Sequence, residues 1–450
     1  MEWTLTDVLV DFAMVSVLLM IAAWLRRKIP FLQRYYIPAA LIAGLLGMVL
    51  GPQVLGKVSP IYLNYSPAIK QWAGVLSAIV FSCSFLGLKL EKVTGSALQT
   101  YFLAGSIHQA QVIIGLSLTF LVMLVVGGDL KFGFGLLPVL GFYGGHSMAI
   151  AGGVVLEDAG YMAGASDVGA TFGTIGMLCG IWGMIIINKA EESGKTTIKM
   201  KREELPKSML TGYYPPSERS SVGNAVTASA TLDPLASQLM MVGLMVFCGY
   251  ILRTVLMKIN PFFKNLPLFA CCLIFSAIFA ICTQKNEKIN NLIDRQLVVR
   301  ISGTALEYMI VAALATTSLE VFASYGAALV VVSVGVAIGT YVFAFIVGQY
   351  ILPKNGRFET ELGLFGQCCG VLATGLLLLK VVDPDFKTNA ATNITSSSTL
   401  GYTYQLQYTL VFMALVMTKP LFVYIWSWGL LILLLGLGIF FGKRMRARGE

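Results

Sequence analysis

The chain has 450 residues, 56% of them hydrophobic and only 12% charged, with a formal net charge of +9; its mean hydropathy is +0.77. Average soluble domains carry about 25% charged residues, so the composition excludes a soluble enzyme and describes an all-α polytopic membrane protein, with the lipid bilayer as its solvent. The positive balance does not point to nucleic acid, because the basic residues gather in the short segments between apolar runs.

Taken in chain order, the apolar runs place spans near 8–25, 35–51, 71–88, 97–126, 166–188, 233–257, 265–283, 297–317, 323–352, 400–418 and 421–442. The first has no basic n-region and no small-residue cleavage site, so it reads as a span, not a signal peptide. With the N-terminus outside, 25 of the 32 basic residues fall in inner segments, from Arg26, Arg27 and Lys28 to the tail Lys443, Arg444, Arg446 and Arg448. Lys and Arg accumulate on the cytoplasmic side, so the tail to Glu450 is expected in the cytoplasm. The one long polar stretch, Lys189–Thr231, reads as a cytoplasmic linker between halves at 1–188 and 232–418, with 419–450 an additional span and basic tail.

Between the spans lie two glycine-dense segments, about 134–157 and 358–380. Gly141, Gly144, Gly145, Gly152 and Gly153 crowd the first, and each glycine in a helix interior costs about 1 kcal/mol, which argues against a plain spanning helix. Shifting Leu140–Leu156 by 222 positions lays it on Leu362–Leu378 with six identities in seventeen, among them Gly141/Gly363, Gly144/Gly366 and Gly153/Gly375. Interrupted segments at matching places in two halves point to a transporter binding site. With five spans per half, the halves start on opposite sides, so the repeats have inverted topology. Each segment reads as a re-entrant hairpin, the first entering from outside and the second from the cytoplasm, with tips that can meet near the midplane.

The eight cysteines all sit in apolar or hairpin sequence, and none has metal-ligand spacing with histidine. There is no Walker motif, no catalytic carboxylate pair and no supported Ser/His/Asp arrangement, so the chain is not read as an enzyme. No Lys or Arg lies deep in a span, so an anionic substrate cannot be held by a bidentate arginine clamp. Helix N-termini and bare N–H groups after the glycines at 145 and 366 remain as donors.

At these residues the chain resembles the bacterial sodium/glutamate symporters, the ESS family of secondary transporters. Gly144-Gly-His146 is similar to that family's Gly-Gly-His-Gly-Thr tip, Tyr36-Ile-Pro-Ala-Ala-Leu-Ile-Ala-Gly44 to its second helix, and Ala170-Thr-Phe-Gly173 to the motif after its first hairpin. Gly366-Gln-Cys368 and Leu372-Ala-Thr374 resemble its Gly-His-Cys and Gly-Ala-Thr-Pro elements. The resemblance runs from Met1 to about Leu415. It implies Na⁺-coupled uptake of glutamate across the inner membrane, with no cofactor, and a homodimer with an elevator-like moving domain. The sequence departs from the pattern in Gly-His-Ser-Met at the first tip and in Thr374-Gly375. It departs again in Thr403-Tyr-Gln-Leu-Gln407, which carries no carboxylate where the family has Phe-Ile-Asp.

The expected substrate site comprises Gly144, Gly145, His146, Ser147, Thr171, Gly366, Gln367, Cys368 and Thr374. For a hard cation the oxygen-bearing candidates are Ser84, Thr174, Glu307 and Gln405. Several admit a second role: His146 as a tie between hairpin and neighbouring helix, Ser84 as interhelical glue, Glu307 as a protonated carboxyl bonded to a carbonyl. His108, Gln109 and Gln111 read as a polar patch packed between helices. The functional expectation is a secondary active transporter of a small organic anion. The rival on the same fold is a proton- or sodium-coupled carrier of another carboxylate or amino acid; a channel and a membrane sensor are the rivals of other classes.

Overall fold

The computed structural model describes residues 3–34, 37–88, 94–126, 130–192, 212–219, 221–259, 267–317, 319–383 and 387–447. Among them there is no strand. The main helices are α1 (Leu5–Lys28), α2 (Ala39–Leu50), α3 (Trp72–Ser82), α4 (Gly95–Val126), α5 (Leu137–Asp158), α6 (Ala165–Glu192), α7 (Pro234–Ile259), α8 (Leu268–Thr283), α9 (Arg295–Thr316), α10 (Leu319–Tyr341), α11 (Arg357–Cys369), α12 (Leu372–Val382), α13 (Ala390–Gln407) and α14 (Pro420–Ala447). Nine helical segments among the described residues are long and apolar enough to cross a membrane, so this is a multi-span membrane protein.

The chain forms two compact units. The first comprises Met1–Gln33, Ile37–Glu91 and Lys207–Thr317, the second Arg34–Tyr36, Lys92–Pro206 and Ser318–Glu450. Each unit therefore draws helices from both halves of the sequence.

In the first unit α9 packs against α2 and α3. Small residues permit the close approach: a Cβ on Gly44 would lie 2.6 Å from Leu314 Cβ, and one on Gly47 2.7 Å from Ala315 Cβ. The span expected over 71–88 is corrected. Helix α3 stops at Ser82 after 11 residues, about 16 Å at 1.5 Å per residue, and the chain turns through Cys83–Leu88. Arg295 at the start of α9 donates to the carbonyls of Cys83 at 2.6 Å and Leu86 at 2.8 Å, which satisfies the broken end. The span expected from 265 begins at Leu268 and has 16 residues.

Part of the expected linker, 193–211 and 220, lies outside the described residues, as do Lys89, Lys92, Arg448 and Glu450. Its last part is not loose chain. Asn224 donates from its backbone and its side chain to Asp294 at 3.0 and 3.2 Å, and Asp294 caps α9 by accepting from Leu297 N–H.

In the second unit α4 is the longest helix, 32 residues, and packs against α10, α13 and α14. Here too a boundary moves: the span expected at 400–418 starts at Ala390, continues through a π-helical turn over Tyr408–Phe412 and ends at Thr418. The first turns of α13 are rich in Ser and Thr, so hydropathy does not find them. They are helical because they pack inside the unit, with Asn393 and Ser397 buried and Asn393 accepting from Ser96 on α4 at 2.9 Å.

Candidate functional site

Helix α5 is two arms joined at Gly145, whose φ of 70° and ψ of −170° are not helical. Leu140 and Gly152 would be about 18 Å apart on a straight helix, yet a Cβ on Gly152 would run into the Leu140 side chain. The segment folds back on itself. The second glycine-dense segment does the same: α11 and α12 meet at Gly370, and a Cβ on Gly366 would lie 2.9 Å from Gly375 Cα on the opposing arm. The second break therefore sits at Gly370 and Val371, not after residue 366 as expected. Gly366 is one turn down the arm, where the two arms cross. Gly370 also falls three positions beyond Gln367, the residue that the 222-position shift places opposite Gly145.

The two breaks touch. A Cβ on Gly145 would lie 2.5 Å from Val371 Cγ1 and 3.3 Å from the carbonyl oxygen of Gly370. Helix α6 runs beside both. Its glycines at 169, 173, 176, 180 and 183 form one ridge. Added Cβ atoms on Gly169 and Gly173 would meet the backbone of Ala149 at 2.6 Å and of His146 at 2.9 Å. On Gly176 and Gly180 they would meet the carbonyl of Cys369 at 2.7 Å and Thr374 Cγ2 at 2.9 Å. The ridge was missed in the sequence, although spacings of four, three, four and three residues put it on one helical face.

His146 is buried. Its Nε2 lies 3.0 Å from Thr174 Oγ1, while the Thr174 hydroxyl donates to the Ala170 carbonyl, also at 3.0 Å. That network makes Nε2 the donor, a tautomer inferred from the hydrogen bonds. The side chain thus ties the first break to α6. Ser147, 8% exposed, has no hydrogen-bond partner among the described residues. Thr171 donates to the Asp167 carbonyl at 2.9 Å, and Thr374 is half-buried beside the second break.

On the second hairpin Cys368 and Cys369 are fully buried. The Cys368 carbonyl accepts from Gln111 Nε2 at 2.8 Å, and the same nitrogen donates to Thr340 Oγ1 on α10 at 2.8 Å. Gln367 Nε2 reaches Tyr143 Oη at 3.4 Å. The amide oxygens of Gln111 and Gln367 are buried with no partner among the described residues, an expensive condition for polar atoms.

Around them lies the expected polar patch, more aromatic than the sequence indicated. The His108 ring is enclosed by Tyr143, Tyr404 and Tyr408 at centroid distances of 5.2, 4.9 and 5.0 Å. Tyr143 and Tyr404 share a hydroxyl–hydroxyl bond of 2.6 Å. Tyr408 Oη donates to Gln109 at 2.5 Å and contacts Ser427 Oγ on α14 at 2.6 Å.

Eleven of the expected site residues, Gly144–Ser147, Thr171, Thr174, Gly366–Cys368, Thr374 and Gln405, lie in the second unit. Gln405 is buried on α13, next to the π-helical turn. Ser84 and Glu307 belong to the first unit. Ser84 follows the end of α3, donating to the Val80 carbonyl at 3.4 Å, and Glu307 is exposed on α9. The basic residues of the two hairpins stand at their ends: Arg357 opens α11 and Lys380 lies in the last turn of α12. Among the described residues no group of three or more His, Cys, Asp or Glu could hold a metal ion.

A family model described as "Sodium/glutamate symporter" matches residues 5–357 of the chain. The match ends where α11 begins. No curated protein sequence matches significantly.

Proposed function

The chain belongs to the sodium/glutamate symporter family, and from that premise we propose that it carries glutamate across the cytoplasmic membrane together with Na⁺, by alternating access, binding the substrate where the two chain breaks meet. The observation that carries this reading is the contact of Gly145 with Gly370 and Val371, between hairpin arms whose basic residues, Arg357 and Lys380, stand only at their ends. The substrate carboxylates would be met by N–H groups in the first turns after each break, which helix geometry leaves without intrahelical partners, and by the Ser147 hydroxyl. The partnerless oxygens of Gln111 and Gln367 are acceptors for the ammonium group. Thr174, Thr374 and unwound carbonyls are hard oxygen ligands of the kind Na⁺ takes, and Ser84, Glu307 and Gln405 stand as the other ion candidates.

The proposal includes two inverted halves with re-entrant hairpins, the N-terminus outside and the C-terminus in the cytoplasm, and a homodimer. The composition of each unit from matching members of both halves supports the repeat. One observation favours a second reading, a different small carboxylate as cargo or a proton as coupling ion: the second hairpin lies beyond the matched residues and carries Gln367 and Thr374-Gly375 where the family has His and Thr-Pro.

Uptake into proteoliposomes decides between them. Labelled glutamate should accumulate under an inward Na⁺ gradient, lose that uptake when choline replaces Na⁺, and show saturation and counter-flow. Full uptake in choline would remove Na⁺ coupling, and competition by another carboxylate but not by glutamate would change the cargo.

A further inference from the structure

A second candidate site is formed by α4, α13, the π-helical turn after it and α14 of the second unit. A cleft of about 460 Å³ is lined by Tyr101, Thr403, Tyr404, Gln407, Val411, Leu430 and Leu434, within the size range of ligand sites. Its walls are apolar at Val411, Leu430 and Leu434. The Tyr101 and Thr403 hydroxyls pair across it at 3.2 Å, and Tyr404, bonded to Tyr143 of the first hairpin, forms one side.

The helix that closes this cleft carries charge at a definite distance from it. Arg444 is 14 residues beyond Leu430 on α14, close to four full turns, so the two share a helical face. From Leu434 to Arg444 the rise is about 15 Å, half of a hydrocarbon core of about 30 Å. Lys443 and Arg444 are exposed and have no hydrogen bond or ion pair among the described residues. The neighbouring Met445 packs on Gly95 at the start of α4, so the basic end of α14 is held beside the helix that forms another wall.

We propose that this cleft binds an anionic phospholipid, with an acyl chain against Val411, Leu430 and Leu434 and the phosphate at Arg444; Lys443, on the other side of α14, adds only to the positive potential there. The separation fits one leaflet, from headgroup to chain interior, and the charge fits an anionic headgroup over a zwitterionic one. The proposal rests on reading α14 as a membrane-spanning helix but not on the identity of the transported solute.

Native mass spectrometry of the full chain, extracted from vesicles of equimolar phosphatidylglycerol and phosphatidylcholine with no solute present, tests it. About fivefold preference for phosphatidylglycerol is expected per basic contact, the equivalent of about 1 kcal/mol. The K443Q/R444Q variant should bring the ratio to about one, whereas R444K should keep it. L430W, which fills the cleft, should lower the retained lipid by one molecule while thermal melting is unchanged. Equal retention of both lipids by the native chain, or a preference that survives K443Q/R444Q, would overturn the proposal. A chain that binds the lipid in this way yet carries no glutamate would refute the transport reading and leave this site standing.

Discussion

Replacing Gly145 by alanine separates backbone strain from packing at the point where the hairpins meet. With φ at 70° and ψ at −170°, the residue occupies a region essentially restricted to glycine, where a side chain costs of order 1–3 kcal/mol. The added Cβ would also lie 2.5 Å from Val371 Cγ1, roughly 1 Å short of an optimal carbon–carbon contact, so the tips must part. The backbone effect alone corresponds to about 5–150-fold in the population of the native tip. Gly145→Ala should therefore reduce glutamate uptake by at least about tenfold while the protein still inserts and binds detergent as a monodisperse species. Val371→Ala in the same chain removes the collision but not the strained dihedral, so it should restore uptake only in part. Initial uptake rates and melting temperatures of the two single variants and the double variant give the comparison. Native behaviour of Gly145→Ala, or complete rescue by Val371→Ala, would show that the dihedral at residue 145 does not constrain the tip.

Cys368 and Cys369 are fully buried and Cys282 is exposed. In detergent solution, where both faces are open, a thiol reagent should label the pair far more slowly than Cys282 at the end of α8, and saturating glutamate should slow it further; substrate-independent labelling at the Cys282 rate would count against a closed tip. Asp294, just ahead of α9, feels burial, which raises its pKa, but N–H bonds from Leu297, Asn224 and Gln296 outweigh that and hold it below the usual carboxylate range. Its folded pKa being depressed, its contribution to stability is present above the unfolded value of about 3.9 and is lost as pH falls through the folded one. Asp294→Ala should lower stability by about 1 kcal/mol at neutral pH and flatten the acid limb of the melting-temperature profile; an unchanged acid limb would refute this.

How much of this was legible depended on where the information lies along the chain. Helices α1, α4, α7, α9, α10 and α14 carry uninterrupted apolar runs, and hydropathy finds them. The end of α3 at Ser82 is set by Arg295, more than two hundred residues away, whose guanidinium takes the Cys83 and Leu86 carbonyls; no local signal announces it. The polar start of α13 is stable only because Asn393 and Ser397 are packed inside a unit, and a window of hydrophobicity cannot report what surrounds a serine. At the site, glycine density located the first break because a left-handed residue needs glycine, and Gly145 supplies it. The second break was misplaced because Gly366 is used for the crossing of two arms, and sequence does not distinguish a glycine needed for its dihedral from one needed for its missing Cβ. The glycines around His146 place it beside the first break, but its hydrogen-bond partner Thr174 is visible only in three dimensions.

The missing Cβ atoms of α6 make a prediction whose sign runs against helix propensity. Five glycines along one helix weaken it intrinsically by about 1 kcal/mol each, so α6 depends on what packs against it. Two hairpins occupy its ridge, the first over Gly169 and Gly173, the second over Gly180 and Gly183, and both over Gly176. Alanine at Gly176 would improve the helix in isolation, but its Cβ would lie 2.7 Å from the Cys369 carbonyl and 3.1 Å from Phe142 Cα, one contact on each hairpin. Both are backbone atoms, which cannot turn aside as a flexible side chain can, so the packing loss should exceed the propensity gain. Gly243 on α7 has nothing among the described residues within 4 Å of an added Cβ, and there alanine should be neutral or stabilising by up to about 1 kcal/mol. Melting temperatures of Gly176→Ala and Gly243→Ala in the same detergent should thus move in opposite directions or, at the least, only the first should fall. If both rise together, α6 is not gripped by the two hairpins, and the backbone approach on which the proposed substrate site depends is not there.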